Sequence, residues 1–413
     1  MASESCRAMS KGESKDTPFI GQRIQEIRLW RKLSLRACAE LAGFSASHLS
    51  RIENGERPVD RRSTLEKFAT VLRVAPSELL GGPGHSELAD VSMSATVEKL
   101  RLALSNVEIG DMMEIDVRPW EETAAHLDAI YELRAVADYE AIGERLPDLI
   151  LDLHSHLDGV HRTSALAGLA ECYYIAQFTA RNLGVVDLPQ VASKHIKDIT
   201  AELAEPEWIG LAAFSRAHAI NSTARERSLA VAIHGIDDIS DNLDNPHVAE
   251  VTGMLHLTAA LAALTLNRPS TASDHVQEAA DIAARLPALS GRGFAGLSFG
   301  SGNVNIWRTT LAVEAGAGGR AVEIARNIDT ATLPESHARQ SALWTEVGRG
   351  MAMERSLRDD AVHAFLKAEK LAPQRFRSDK FAKEIIGDQL RRARRNAGGR
   401  ELRGLAYRMG IAP

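Results

Sequence analysis

Between Leu35 and Glu53 the chain reads LRACAELAGFSASHLSRIE, and helical spacing in its second half sets Ser47, Ser50, Arg51 and Asn54 opposite Leu49 and Ile52. Those polar types suit one kind of chemistry. Serine hydroxyls and an asparagine amide hydrogen-bond base edges or phosphates, while a guanidinium forks onto guanine O6 and N7 or clamps a phosphate. Both roles stay open for Arg51. Ala46 offers a methyl contact to thymine, and His48 faces either DNA or solvent. Presenting such a face needs two short helices and a tight turn. Ala39, four residues before Gly43, lets the helices touch, Gly43 takes the left-handed turn, and Ser45 caps the second helix. Leu49 and Ile52 then bury one side and leave the other free to enter a groove. The spacing is that of a helix-turn-helix.

Other clusters carry less. Asp152, His154, His156, Asp158 and His161 are metal-ligating types, but positions two apart on a helix point about 200° apart. His154 and His156 therefore cannot ligate from one face, and His154 with Asp158 is too few ligands for a site. Structural and surface roles are expected for all five. The run Gly291–Gly302, GRGFAGLSFGSG, lacks the Lys-Ser/Thr of a phosphate-cradling loop and follows no strand, so a long flexible loop is expected. Asp237, Asp238 and Asp241 lie near a helix end and suit a solvated face. No nucleophile–base pair stands out. The chain is expected not to be an enzyme, with no catalytic residue, metal or cofactor.

The elements that position these residues are helices. Of 413 residues, 45% are apolar and only 5% aromatic, a balance that favours helix over sheet and leaves ample material for a core. Three cysteines, Cys6, Cys38 and Cys172, are too few and scattered for a disulfide framework, which fits a reducing bacterial cytoplasm. No stretch reaches the roughly 18–20 uninterrupted apolar residues of a membrane span, and MASESCRAMSKGESKDTPFI lacks the core of a secretion signal. The net charge of −6 is uneven: +4 over residues 1–80 and +7 over 374–413 leave −17 over 81–373. The amino-terminal block can sit on phosphate and the middle cannot.

Composition shifts divide the chain into a disordered tail (1–16), a compact helical domain (17–81), a linker with a short helix at Val97–Leu104 (82–118), a long helical domain (119–393) and a basic tail (394–413). Helical patterns of about 12–22 residues break at Gly159, Gly184, Pro206, Pro246, Pro269, Pro287, Pro334 and Pro373. The fold class expected is all-α.

The first domain resembles the Xre-type, phage-repressor-like DNA-binding domain over about 60 residues, Ile20 to Leu80. The hallmark after the recognition helix stands as Ile52-Glu53-Asn54-Gly55, and the closing pattern as Phe68-Ala69, Leu72, Val74 and Leu79. The resemblance implies five helices, with Ala46, Ser47 and Ser50 facing bases beside Arg51, and Ser45, besides capping the helix, is counted among the DNA-contacting residues. Asn54, Arg57, Arg61 and Arg62, with Arg36 on the other side, are expected at backbone phosphates. Leu35 replaces the Gln usual at the start of the second helix, so the family's contact there is lost.

Near the other end, Ala361, Phe365, Ala368 and Pro373 are spaced as in the second helix of a tetratricopeptide hairpin, with Val347-Gly348 in its first helix. Hairpins of similar length fit 121–157, 161–204, 206–242, 246–286 and 303–329, with blurred signatures. The alternative is an irregular bundle. Together the two resemblances imply a one-component bacterial regulator: a homodimer on a two-fold symmetric double-stranded DNA operator, with an effector held by a tetratricopeptide-like solenoid. Gln177, Arg181, Arg216, Asn221, His256, Asn303, Trp307 and Arg308 are the effector candidates on the first helices of the hairpins. Trp307 equally suits a core position and Asn303 an N-cap. The acidic middle favours a short peptide or small apolar molecule, neutral or cationic. The competing function is a protein-interaction scaffold tethered to DNA, with no effector.

Overall fold

The computed structural model describes residues 19–81, 90–105, 118–220, 222–288, 291–393 and 399–411, which are helices and their connections without a strand. The tail at 1–16 and most of the linker lie outside the described residues.

Five helices form the first unit: α1 (Ile20–Trp30), α2 (Leu35–Ala42), α3 (Ala46–Glu53), α4 (Arg62–Leu72) and α5 (Pro76–Leu79). Short polar caps start the middle two. The Ser34 hydroxyl accepts from Ala37 N at 3.1 Å, and that of Ser45 accepts from His48 N at 3.2 Å. Gly43 ends α2 at φ 75°, ψ 32°, the left-handed conformation that a Cβ would oppose. Ile24, Ala39, Leu49, Ile52, Phe68, Leu72 and Leu79 are buried together, so one face each of α1, α2, α3 and α4 makes this small core.

The linker helix is longer than its sequence pattern suggests: α6 spans Asp90–Ala103 and packs against α8. The remainder is a series of antiparallel helical hairpins: α7 (Trp120–Ala135) with α8 (Tyr139–Ser155), α9 (Arg162–Asn182) with α10 (Leu188–Leu203), and α11 (Pro206–Ala219) with α12 (Arg225–Ile239). Then come α13 (Pro246–Thr265) with α14 (Pro269–Arg285), α15 (Ser301–Glu314) with α16 (Gly318–Arg326), and α17 (His337–Met353) with α18 (Ala361–Leu371). Pro206, Pro246 and Pro269 occupy the first turn of their helices, where the missing N–H costs nothing and the fixed φ helps. These three prolines thus start the next helix. α13 is long and apolar enough to cross a membrane, but most of it is buried inside the array, as a central core helix must be.

Hairpin stacking follows from small residues at the crossings. Phe365, fully buried between Ala361 and Ala368, lies against Gly348, where an added Cβ would stand 2.5 Å from its ring. First helices stack on first helices, α11 on α13, α13 on α15 and α15 on α17. The series also curves back on itself, because α7 touches α17 and α9 touches α19 (Pro373–Ser378). A concave interior results.

Two expectations change here. Gly291–Gly302 is not a loose loop: Phe294, Leu297 and Phe299 are buried, and the Phe299 ring fills the space over Gly253. The strap plugs the concave face because its three large apolar side chains gain more from burial than from solvent. The expected basic tail carries α21 (Arg400–Arg408), which follows α20 (Lys380–Ala393) and packs on α18. Leu402, Leu405 and Ala406 face its core, and Glu369 accepts from Arg408 at 2.6 Å.

Candidate nucleic-acid interface and inter-helix cavity

Burying Leu49 and Ile52 turns the other side of α3 outward, where Ser47, Arg51 and Asn54 are exposed and Ala46 and Ser50 half-buried. Asn54 Nδ2 donates to Ser50 Oγ at 3.4 Å, and Arg51 lies back on Ser47, with Nε 3.4 Å from its carbonyl. These contacts are long and exposed, so a nucleic acid can replace them at little cost. Arg36 and Arg57 are exposed nearby, with Arg36 paired to Glu40 one turn on. Ser45 spends its hydroxyl on the cap. His48 stacks on Phe44 at 4.8 Å, and burial with Arg57, Arg51 and Arg61 around it lowers its pKa, leaving it neutral.

One determinant of this face was not foreseen. Glu53 of the Ile-Glu-Asn-Gly hallmark is buried and accepts from Arg28 of α1 at 2.6 and 2.8 Å. The bidentate pair fixes the end of α3 against α1, so it orients the recognition helix without touching its outer face. A Glu at a position flanked by Leu49 and Ile52 was the available signal.

Arg61 and Arg62 depart from the expected phosphate contacts. Arg61 packs over the α15–α16 turn at Gly316. Arg62 turns inward, its amide N donating to Glu314 Oε2 at 2.9 Å and its guanidinium to the other oxygen. Arg349 Nη2 reaches the same carboxylate at 2.8 Å and the Asp60 carbonyl at 2.6 Å, while Glu346 holds Arg349 Nη1. Burial alone would raise the Glu314 pKa, yet Arg62 and Arg349 outweigh it and hold the carboxyl below its ordinary value. A carboxylate so placed draws Arg62 away from solvent. Arg225 pairs with Glu66, Arg392 donates to the Glu56 carbonyl, and Phe381 enters the core of the first unit. The helix-turn-helix is therefore clamped to the array by its back, with α3 facing away.

Behind this clamp lies a cavity of about 150 Å³ walled by α9, α11, α13, α15 and α17, the first helices of their hairpins. Five arginines line it: Arg62, Arg134, Arg181, Arg339 and Arg375. Tyr174, Phe178, Phe214 and Trp307 form its apolar walls. Only Arg62 has a carboxylate partner among the described residues. Arg181 donates to the His218 ring and carbonyl, Arg339 to Asn303, and Arg134 to the Ala295 carbonyl. Arg375 Nη1, His218 Nε2 and Trp307 Nε1 are buried without a hydrogen-bond partner.

The effector candidates scatter around this cavity. Arg181 and Trp307 line it, and Trp307, 6% exposed, meets His218 edge-on at 5.8 Å. Asn303 is neither N-cap nor lining: it is buried inside α15 and steers Arg339. Gln177 bonds Ser215, His256 bonds His275 at 2.9 Å, Arg308 lies on Asn305, and Arg216 is exposed. Asn221 falls outside the described residues. The local charge is also opposite to the expectation from the acidic middle, since a sum over many residues says nothing about five side chains converging on one cavity. Of the histidine–aspartate cluster, Asp152 accepts from Arg118 at 2.8 Å, and His161 stacks on Trp120 at 4.9 Å.

Residues 20–80 match the helix-turn-helix domain family. The chain is 39% identical over 69 residues to the uncharacterized HTH-type transcriptional regulator RghRB of Bacillus subtilis, covering 17% of this chain and 49% of that protein. It is 30% identical over 96 residues to the HTH-type transcriptional repressor RghR of the same organism, covering 23% of this chain and 70% of that one. The chain thus spans about half the length of the first of these relatives, and both matches leave most of the array unpaired. Among solved structures, Bacillus thuringiensis PlcR in complex with the peptide PapR7 and DNA overlays at a TM-score of 0.26 and 16% identity, over 64% of this chain and 93% of that one, too loosely to inform a site. By name, one of these relatives is a transcriptional regulator and the other a transcriptional repressor. The chain belongs to the helix-turn-helix transcriptional regulators.

Proposed function

We propose that the chain is a one-component regulator of the Xre type, in which a ligand held by a tetratricopeptide-like array adjusts the affinity of a homodimer for a two-fold symmetric operator. One observation carries the reading. Arg62 belongs to the DNA-binding unit yet lines the cavity of the array, so a ligand there touches both units at once. A single unit of this size offers few base contacts, which favours two copies on two half-sites. Ala46, Ser47, Ser50 and Arg51 are assigned to bases, and Arg36, Asn54 and Arg57 to phosphates.

A genome-wide binding map of the full chain gives the operator. Light scattering of the chain, free and on that operator, then tests the dimer, and a monomer in both states at micromolar concentration sinks it. Operator affinity measured with and without cavity ligands separates a sensor from a tethered scaffold, whose affinity stays fixed.

A further inference from the structure

We infer that the cavity takes a small organic anion, with an aromatic ring against its apolar walls and a phosphate or carboxylate head among its arginines. The inference names the ligand class of the regulatory site proposed above and rests on that reading.

Charge balance is the first argument. Arg134, Arg181, Arg339 and Arg375 have no carboxylate partner among the described residues, and the one acid on the lining, Glu346, is already bound to Arg349. Arg134, Arg339 and Arg375 are half-buried and Arg181 exposed, and like charges gathered in one partly desolvated recess repel one another until an anion joins them. Here burial, with Arg62, Arg225, Arg375 and Arg339 nearby, pushes Arg181 down to about 9. Burial and Arg375 push Arg339 down to about 10. Both remain charged at neutral pH, so the cavity holds positive potential. The Arg181 side chain lines the cavity and is exposed, so a solute can reach it.

Donor geometry is the second. Arg375 Nη1 is buried with no acceptor, and Asn303 holds Arg339 from behind, through Nε at 3.0 Å. The donors are built in and the acceptor is missing. A guanidinium set of this kind matches the planar, multivalent oxygens of phosphate and carboxylate. Size is the third. About 150 Å³ accepts one six-membered ring, and the ring faces on the walls suit a flat body.

The same geometry gives a route to DNA. An anionic head competes with Glu314 for Arg62 and loosens one tie between the first unit and the array.

The test uses the full chain at physiological ionic strength, with calorimetry for binding and operator affinity for response. Phenyl phosphate and phthalate are the anionic probes, benzamidine the cationic one and benzyl alcohol the neutral one. At least one anion should bind in preference to the other two compounds, and the better anion identifies the head group. Its affinity should fall at least tenfold in Arg181→Gln and in Arg375→Gln, and stay unchanged in Arg51→Ala, which excludes capture by the DNA face. The two Gln variants are made so that one failing to fold leaves the other. If Arg181 serves only packing, Arg181→Gln lowers the melting temperature of the free chain; a ligand site of crowded cations predicts an unchanged or higher one. Benzamidine or benzyl alcohol binding as tightly as the anions, or no anion binding at all, overturns the ligand class. Anion binding through Arg181 with operator affinity unchanged keeps the class and overturns the regulatory reading. A cationic or neutral probe that shifts operator affinity through this cavity does the reverse.

Discussion

Arginine does opposite work on the two sides of this molecule. On α3, Arg51 is exposed, lies loosely on its own helix and is free to exchange that contact for another acceptor. At the clamp, Arg349 is fully buried between Glu314 and Glu346, and Arg62 is held at the rim of the cavity by Glu314. Water screens the first set, so its energy is small per contact and salt-dependent. Protein surrounds the second, so each charge needs a fixed partner and its loss is felt in folding. The exposed set can be tuned for a sequence without disturbing the fold, whereas the buried set ties two units together.

Removing the shared carboxylate tests that contrast most severely. Glu314→Ala leaves Arg62 and Arg349 without their common acceptor and should destabilise the chain by about 3–5 kcal/mol, read as a shift in urea midpoint. A change below about 1 kcal/mol would show that the clamp is as soft as the DNA face.

The back of the first unit should also answer to pH while α3 answers to salt. Burial pushes Glu384 up to about 7, against the opposing pull of the Ile20 and Val59 amides and Arg391, with Asp388 adding repulsion. Ile20 N donates to it at 3.3 Å. Its pKa is raised on folding, so the folded chain binds a proton that the unfolded chain has released. Stability from this group is therefore greatest below pH 4.5, falls as the pH rises to about 7 and is flat above. The span amounts to about 3 kcal/mol at most. Glu384→Gln should raise stability at pH 8 and flatten the profile between pH 5 and 7, measured by urea unfolding across that range. An unchanged slope assigns it to other groups.

On the outer face the expected effects shrink. Arg51→Ala should weaken operator binding by about 1–3 kcal/mol and relax sequence preference while leaving the urea midpoint in place. Equal losses on operator and random DNA would make Arg51 a phosphate clamp.

What sequence could reveal follows the same division. The helix-turn-helix was legible because its determinants are local: Ser45, Gly43, Leu49 and Ile52 act within a few residues of one another. The hairpins were legible from Pro206, Pro246 and Pro269, which start the helices they punctuate. The cavity was not. Arg62, Arg134, Arg181, Arg339 and Arg375 come from five separate helices, and only the closure of the array brings them together. Arg181 could be named from its place on a first helix, but not the cations facing it. The role of Arg62 was hidden because its partner, Glu314, lies far along the chain. The strap at 291–302 reads as a loose loop because its glycines mask Phe294, Leu297 and Phe299, whose spacing in a short run is a sign of burial.

The finest distinction concerns Arg57, exposed beyond the end of α3 and paired with no carboxylate among the described residues. Assigned to a phosphate, it contributes charge and no sequence information, so Arg57→Ala should lower affinity for operator and random DNA by the same factor. Each phosphate contact that is lost also stops releasing its counterion, and the slope of log affinity against log salt should become shallower by about one per subunit. Arg51→Ala should alter that slope much less if its guanidinium sits on a base. Measuring both variants from about 50 to 200 mM salt on two DNA sequences separates the roles directly. Should Arg57→Ala change sequence preference and Arg51→Ala change only the salt slope, the two assignments on this face are interchanged, and the recognition surface extends past α3 into the loop before α4.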